Sequence, residues 1–141
     1  AVFFQMTYVG VPHIWHGDEI GMMGANDPDC RRPCNWKYTE DAEKVSLRDY
    51  YKKLIEIRKE NSCLRTGSFS TLIADGMVYG FLRSDENSSV AIIINNDTKV
   101  RLVKIPIDKK AVIELLTEKE FIIKDGKLEI ELDAMSGVVL R

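Results

Sequence analysis

Residues 10–36 read GVPHIWHGDEIGMMGANDPDCRRPCNW, and the interpretation of the whole chain turns on this stretch. A short apolar run (11–15) opens into Gly17-Asp18-Glu19. A long polar loop follows, carrying Gly21, Gly24, Asn26, Asp27, Pro28, Asp29, Arg31, Arg32 and Pro33 before it reaches Trp36. A buried strand opening into a Gly- and Pro-punctuated loop is how a β/α barrel presents ligand-binding groups, because its sites lie at the carboxyl ends of parallel strands. Residues 9–15 are therefore expected to form a strand entered through Gly10 and Pro12, the proline lying where a missing N–H breaks no ladder. Val11, Ile14 and Trp15 place apolar groups on both pleat faces, which suits a sheet covered on both sides. Such a strand cannot satisfy its own backbone and implies neighbouring strands that this chain does not supply.

Working outward, residues 1–8 (AVFFQMTY) are apolar on nearly every side and read as the last turns of a buried helix. After the loop, Ser46 is expected to cap a second helix, with Asp49 in the capping-box position and Leu47, Tyr50, Tyr51, Leu54 and Ile55 at helical spacing. Arg58 and Lys59 suit its carboxyl-terminal dipole, and the helix should end near Asn61. Leu64-Arg65-Thr66-Gly67 then turns the chain, and from Ser68 the period becomes strand-like. Runs at 69–73, 77–83, 90–94, 100–105, 112–116, 127–132 and 138–140 are separated by turn signals such as Asp75-Gly76 and Asp125-Gly126. This pattern predicts an antiparallel β-sandwich. The uniformly apolar 90–94 run is expected at its centre, while Leu128, Ile130 and Leu132 cover one face only.

Composition narrows the function. With 141 residues and 45% hydrophobic content, the chain can bury one ordinary core, or a small domain plus an appendage. A net charge of -2 provides no field for nucleic acid or an anionic membrane, so the expected partner is neutral or a protein. No apolar run approaches the roughly 18 to 20 residues that span a bilayer. The amino end lacks the basic flank of a secretion signal, though its first residue is not Met, which leaves room for a leader or whole domains upstream. Three cysteines, an odd number and too few for a disulfide framework, suit a reducing, cytoplasmic setting. His13, His16, Cys30 and Cys34 are soft metal ligands near one loop. Strand residues three apart face opposite ways, however, so packing is preferred and neither metal nor cofactor is expected.

The 10–36 stretch resembles the segment around the eighth barrel strand of the α-amylase family of glycoside hydrolases, particularly the neopullulanase, cyclomaltodextrinase and maltogenic amylase group. The residues carrying the resemblance are Gly17-Asp18-Glu19-Ile20-Gly21-Met22 and Asn26-Asp27-Pro28-Asp29-Cys30-Arg31. Departures are Trp15-His16, where the family usually has two tyrosines, and Cys34, where Met is common. The resemblance extends over essentially the whole chain and implies two parts. Residues 1–67 would be a remnant of a catalytic (β/α)8 barrel, comprising the end of helix seven, strand eight, the substrate loop and helix eight. Residues 68–141 would be the all-β sandwich that closes these enzymes.

It also implies an α-glucan hydrolase, acting on α-1,4 and in some members α-1,6 bonds by a retaining mechanism, whose catalytic carboxylates lie upstream of Ala1. Asp18 and Glu19 are not expected to replace them. Neighbours on an extended chain point to opposite sides, whereas the chemistry needs two converging carboxyls roughly 5 Å apart. Their expected role is hydrogen bonding behind the site. The sugar-binding candidates are Asp27 and Arg31, an acceptor and a planar multi-donor able to bridge vicinal hydroxyls, with a loop-internal ion pair as the alternative. Trp36 is a candidate for stacking on a pyranose ring, or else a buried anchor. The expected ligand is a maltooligosaccharide, cyclodextrin or pullulan, and the chain alone is expected to be inactive. The rival readings are a non-catalytic carbohydrate-binding or interaction module, and a related oligo-1,6-glucosidase or transglycosylase. Val11, Ile14, Trp15, Tyr51 and Leu54 are expected to lack most of their partners, so that the fragment self-associates or is partly disordered at residues 1–8 and 21–38.

Overall fold

The structure, a computed structural model, describes residues 1–141. Helix α1 spans Val2–Thr7, α2 Ala42–Glu60 and α3 Cys63–Thr66. The strands are β1 (Ser68–Asp75), β2 (Val78–Ser84), β3 (Ser89–Asn95), β4 (Arg101–Pro106), β5 (Ala111–Ile113), β6 (Glu120–Ile122), β7 (Lys127–Leu132) and β8 (Ser136–Leu140). They form an antiparallel four-stranded sheet in the order β1-β2-β3-β8, a β4-β7 ribbon and a β5-β6 hairpin.

The sequence period explains the layers. Along β7, Leu128, Ile130 and Leu132 are buried and the intervening lysine and glutamates exposed, as expected of a ribbon with one covered face. In β3, Ala91 and Ile93 join Val103, Ile105 and the β7 residues in one core. Val90 and Ile92 face the other way, into a second core with Phe81, Val139, Ile57, Cys63 and Leu64. The 90–94 run is apolar throughout because β3 lies inside the sheet and is covered on both faces, by the ribbon on one side and the helices on the other. Asp125 and Gly126, at φ 52° and 69°, make the left-handed turn for which Asp-Gly is suited. β1, the sheet's open edge, shifts register between Thr71 and Ile73, which kinks it against edge-to-edge pairing.

Several expectations need correcting. Residues 9–15 form no strand: Val11 is 95% exposed and no sheet is hydrogen-bonded to the segment. An apolar run becomes a strand only where a neighbour takes up its N–H and C=O groups, and all three sheets lie after Ser68. Helix α2 begins four residues before Ser46: Asp41 is its cap, its Oδ1 accepting from the N–H groups of Glu43 (3.1 Å) and Lys44 (3.3 Å). Ser46 and Asp49 lie on exposed faces within the helix. Leu54 does not lack partners but is 1% exposed, packed with Val2 and Met6 of α1. The 112–116 run is a strand only to Ile113, after which Glu114 turns the chain and leads to β6, which sequence periodicity had not marked.

Two buried arginines tie the helices together, and one of them also ties them to the sheet. Arg83, on the helix-facing side of β2 and 1% exposed, donates to the carbonyls of Ser68 (3.1 Å), Leu64 (3.2 Å), Thr7 (3.4 Å) and Gly67 (3.1 Å). Arg58 of α2 donates to Met6 (2.7 Å), Tyr8 (3.3 Å) and Gly10 (2.6 Å). Burial is the first cause holding both guanidinium groups below their ordinary pKa, and repulsion from Arg83 and Arg65 adds to it at Arg58. Gly67 lies where a Cβ would come within 2.6 Å of Cys63 O and 2.7 Å of Ser84 O, so the α3-to-β1 exit closes only around glycine. Replacing Arg83 with Met strips four carbonyls of their donors, at a cost of about 3 kcal/mol or more. Urea denaturation should show that loss, and one under about 1 kcal/mol would mean that the guanidinium does not hold these elements together.

Candidate functional site

The loop begins where α1 stops. Thr7 returns its hydroxyl to Phe3 O (2.9 Å), Gly10 adopts φ 110°, and the chain runs irregularly to Gly17. Gly17, at φ 94°, turns it into a short 3-10 helix, Asp18–Ile20, whose Ile20 is buried and whose following Gly21 sits close against Leu47 of α2. Asp18 and Glu19 thus occupy one tight turn, not the extended chain expected, because a left-handed glycine precedes them. Asp18 Oδ2 accepts from Trp15 N (3.1 Å) and Glu19 Oε2 from Gly17 N (3.0 Å), so both carboxylates brace the turn's own backbone. Tyr51 of α2 lies beside them, its phenol pushed up first by burial and then by these two negative charges. A depression of about 550 Å³ lined by Gln5, Asp18, Met22, Met23 and Tyr51 opens here, but Asp27, Arg31 and Trp36 are not among the residues lining it.

The remainder of the loop is held by charge and turn chemistry. Asp29 receives Arg32 in a two-pronged pair (Nε 2.5 Å, Nη2 2.7 Å) and also accepts from Ala25 N (2.8 Å). The Arg32 hydrogen bond, followed by that from Ala25, holds the Asp29 carboxyl below its ordinary pKa. This pair, which sequence reasoning passed over, is the loop's inner brace; its signal was an acid and an arginine three residues apart, between Pro28 and Pro33. Asp27 and Arg31 form a second pair at 2.5 Å, their side chains 66% and 64% exposed. That is the loop-internal ion pair weighed from the sequence, on a surface where such pairs contribute little to stability. Trp36 is 78% exposed at the start of a 3-10 helix, Trp36–Glu40, capped by Asn35. It is not a buried anchor within this chain. Tyr38 and Arg48 stack at 5.5 Å and tie this turn to α2.

Chemically, the loop presents an acceptor and a fork-shaped donor side by side with an exposed indole in the same loop, a combination suited to a neutral polyol with an apolar ring face. No three His, Cys, Asp or Glu side chains are grouped as a metal ion would need, and Cys30, Cys34 and Cys63 are unpaired.

No protein-family model matches the chain. It is 46% identical over 103 residues to a cyclomaltodextrinase of Thermoanaerobacter pseudethanolicus, a match covering 73% of this chain and 18% of that protein. It is 37% identical over 145 residues to neopullulanase 2 of Thermoactinomyces vulgaris, covering 99% and 24%. Among solved structures, an Anoxybacillus α-amylase superposes with TM-score 0.88 at 31% identity, over 99% of this chain and 30% of that one. A cyclomaltodextrinase superposes with TM-score 0.86 at 26% identity, over 99% and 25%. The chain therefore spans a quarter or less of the length of these two relatives. With the neopullulanase match extending over 99% of the chain, and so through the turn, the loop and the β-domain alike, the chain belongs to the α-amylase family of glycoside hydrolases, in the group of the cyclomaltodextrinases and neopullulanases.

Proposed function

We propose that this chain is the carboxyl-terminal part of an α-glucan hydrolase of the neopullulanase type, contributing one rim of its sugar site. The observation that carries this reading is the 46% identity to a cyclomaltodextrinase in a chain whose loop leaves Asp27, Arg31 and Trp36 open to solvent. In this reading residues 1–67 are the last helix-strand-loop-helix of a barrel, and 9–15 take up strand geometry only when flanked by other strands. Asp27 and Arg31 bridge hydroxyls of a glucose unit, exchanging part of their mutual ion pair for sugar contacts. Trp36 covers a ring face, and Asp18 and Glu19 hold the turn behind them. The ligand is an α-glucan oligosaccharide; a related α-amylase, from Geobacillus thermoleovorans, has been solved with acarbose at 26% identity. The compartment proposed is the cytoplasm, on the odd number of cysteines.

Hydrolysis itself is assigned to carboxylates outside this chain. Asp18, Glu19, Asp27 and Asp29 all serve local backbone or arginine partners. A retaining glycosidase instead needs two carboxyls free to face each other about 5 Å apart across the scissile bond. Incubated with starch, pullulan or cyclodextrin, the purified chain should release no sugar; release that survives Glu19→Gln and further purification would refute this assignment. In an active enzyme that contains the chain, Asp27→Ala should lower kcat/KM by the equivalent of about 1 to 3 kcal/mol, without a change in melting temperature. Unchanged kinetics with a lower melting temperature would leave the ion pair a purely structural one. Val11, Trp15, Met23 and Trp36 are each more than half exposed, and through such side chains the isolated chain is proposed to self-associate. Light scattering should detect species above the monomer, and a strict monomer across micromolar concentrations rejects self-association.

A further inference from the structure

We infer that Arg58 is the positioning residue of the sugar-site loop, fixing from α2 the point at which the loop leaves α1; this inference rests on the loop's proposed role. Three observations converge on it. First, the segment between Thr7 and Gly17 has no regular structure, and the only side chains hydrogen-bonded to it from the α-helices are Gln5, which donates to His13 O, and Arg58, which donates to Gly10 O at 2.6 Å. Second, the same guanidinium takes Met6 O (2.7 Å) and Tyr8 O (3.3 Å), so one rigid fork spans the last turn of α1 and the first bend beyond it. A helix end leaves its final carbonyls without intrahelical partners, and here an arginine fifty residues away supplies the donors. Third, Arg58 is 8% exposed and makes no ion pair with any carboxylate, so its hydrogen-bonding capacity is directed at backbone.

The geometry gives the fork a directional role. Gly10, at φ 110°, has no heavy atom within 4 Å of where a Cβ would stand, and its carbonyl is held by the Arg58 fork. From Gly10 the chain reaches the Gly17 turn, whose Asp18–Ile20 segment packs against α2, and then the Asp27-Arg31 pair. A shift at the origin therefore propagates to ligand-binding groups that tolerate only about half an ångström of displacement. Lysine cannot substitute, because a single ammonium lacks the planar fork needed to hold carbonyls on both sides of Tyr8.

The test uses the full 141-residue chain as wild type, Arg58→Met and Arg58→Lys, at a temperature where each is folded by circular dichroism. Hydrogen exchange followed by mass spectrometry should show faster exchange over residues 8–22 in both variants, with β2 and β3 unchanged. Maltotriose titrated against tryptophan fluorescence should bind about tenfold more weakly to Arg58→Met, with Arg58→Lys between it and wild type. Equal loop protection in all three proteins overturns the inference, as does faster exchange spread evenly over the sheet, which marks a merely structural residue. If wild type binds no maltotriose, the sugar reading of the loop fails by itself and the inferred role fails with it; faster exchange at 8–22 would then mark Arg58 as a backbone tether only. Should Arg58→Met not fold, the Arg58→Lys comparison decides both arms.

Discussion

The joint between the helices and the sheet depends on carbonyl oxygens finding donors inside a mostly apolar interface. Helix α1 has six residues, too few to be stable by propagation of its own hydrogen bonds, and it carries neither a side-chain cap at its start nor a basic residue in its last turn. Two of its last carbonyls, Met6 and Thr7, are satisfied by guanidinium groups from different elements, Arg58 of α2 and Arg83 of β2. Because an arginine is fully charged yet able to serve several neutral acceptors at once, these two side chains can replace the water that the assembly displaces. The aromatic cluster of Phe4, Tyr8, Phe69 and Phe81 completes the joint, with Tyr8 packed edge-on to both Phe69 and Phe81. The boundary between residues 67 and 68, which separates two kinds of sequence, is thus crossed by a common core and by hydrogen bonds.

The β-domain was legible because its pattern is local. Leu128, Ile130 and Leu132 alternate with charges whatever their partner, and the Asp-Gly steps fix turns within a few residues. The unbroken apolar run at β3 could also be ranked, since only an interior strand tolerates it. Where the reading failed, the deciding contact lay elsewhere in the chain. Residues 9–15 have strand composition, but pairing is a property of two segments, and composition reports on one. Three-residue β6 exists only by its pairing to β5, and Glu120-Phe121-Ile122 carries no period of its own. At the start of α2, both Asp41 and Ser46 are cap-type residues. The choice between them fell to the 3-10 turn ending at Glu40, which leaves Asp41 extended and free to cap.

For the candidate site, residue chemistry was readable and its bonding order was not. An acid and an arginine four apart promised either an internal pair or two sugar contacts, and Asp27 and Arg31 are indeed paired while remaining open to solvent. The same loop holds a second acid and arginine, three apart, and nothing in the sequence told which pair would be the brace and which the exposed one. Backbone hydrogen bonding made the difference: Asp29 also takes Ala25 N and Arg32 also takes Met23 O, whereas the Asp27-Arg31 pair has no such tie.

The arginine clamps have a consequence for how freely this sequence can drift. What Arg58 and Arg83 grip is peptide oxygen, which every amino acid provides identically, so the interaction places no demand on the side chains at positions 6, 7, 8, 64 or 68. Substitution at those sites is limited by what each side chain does for itself, such as the edge-on packing of Tyr8 or the Thr7 hydroxyl's bond to Phe3 O, and the joint survives so long as the backbone path is kept. Two glycines are the exceptions: Gly67 is gripped through its carbonyl while its α-carbon is walled in by two others, and Gly10 is gripped at φ 110°, where other residues are strained. Variation among sequences sharing this architecture should accordingly be lopsided: permissive among the other acceptors, and closed at the two donors and the two glycines.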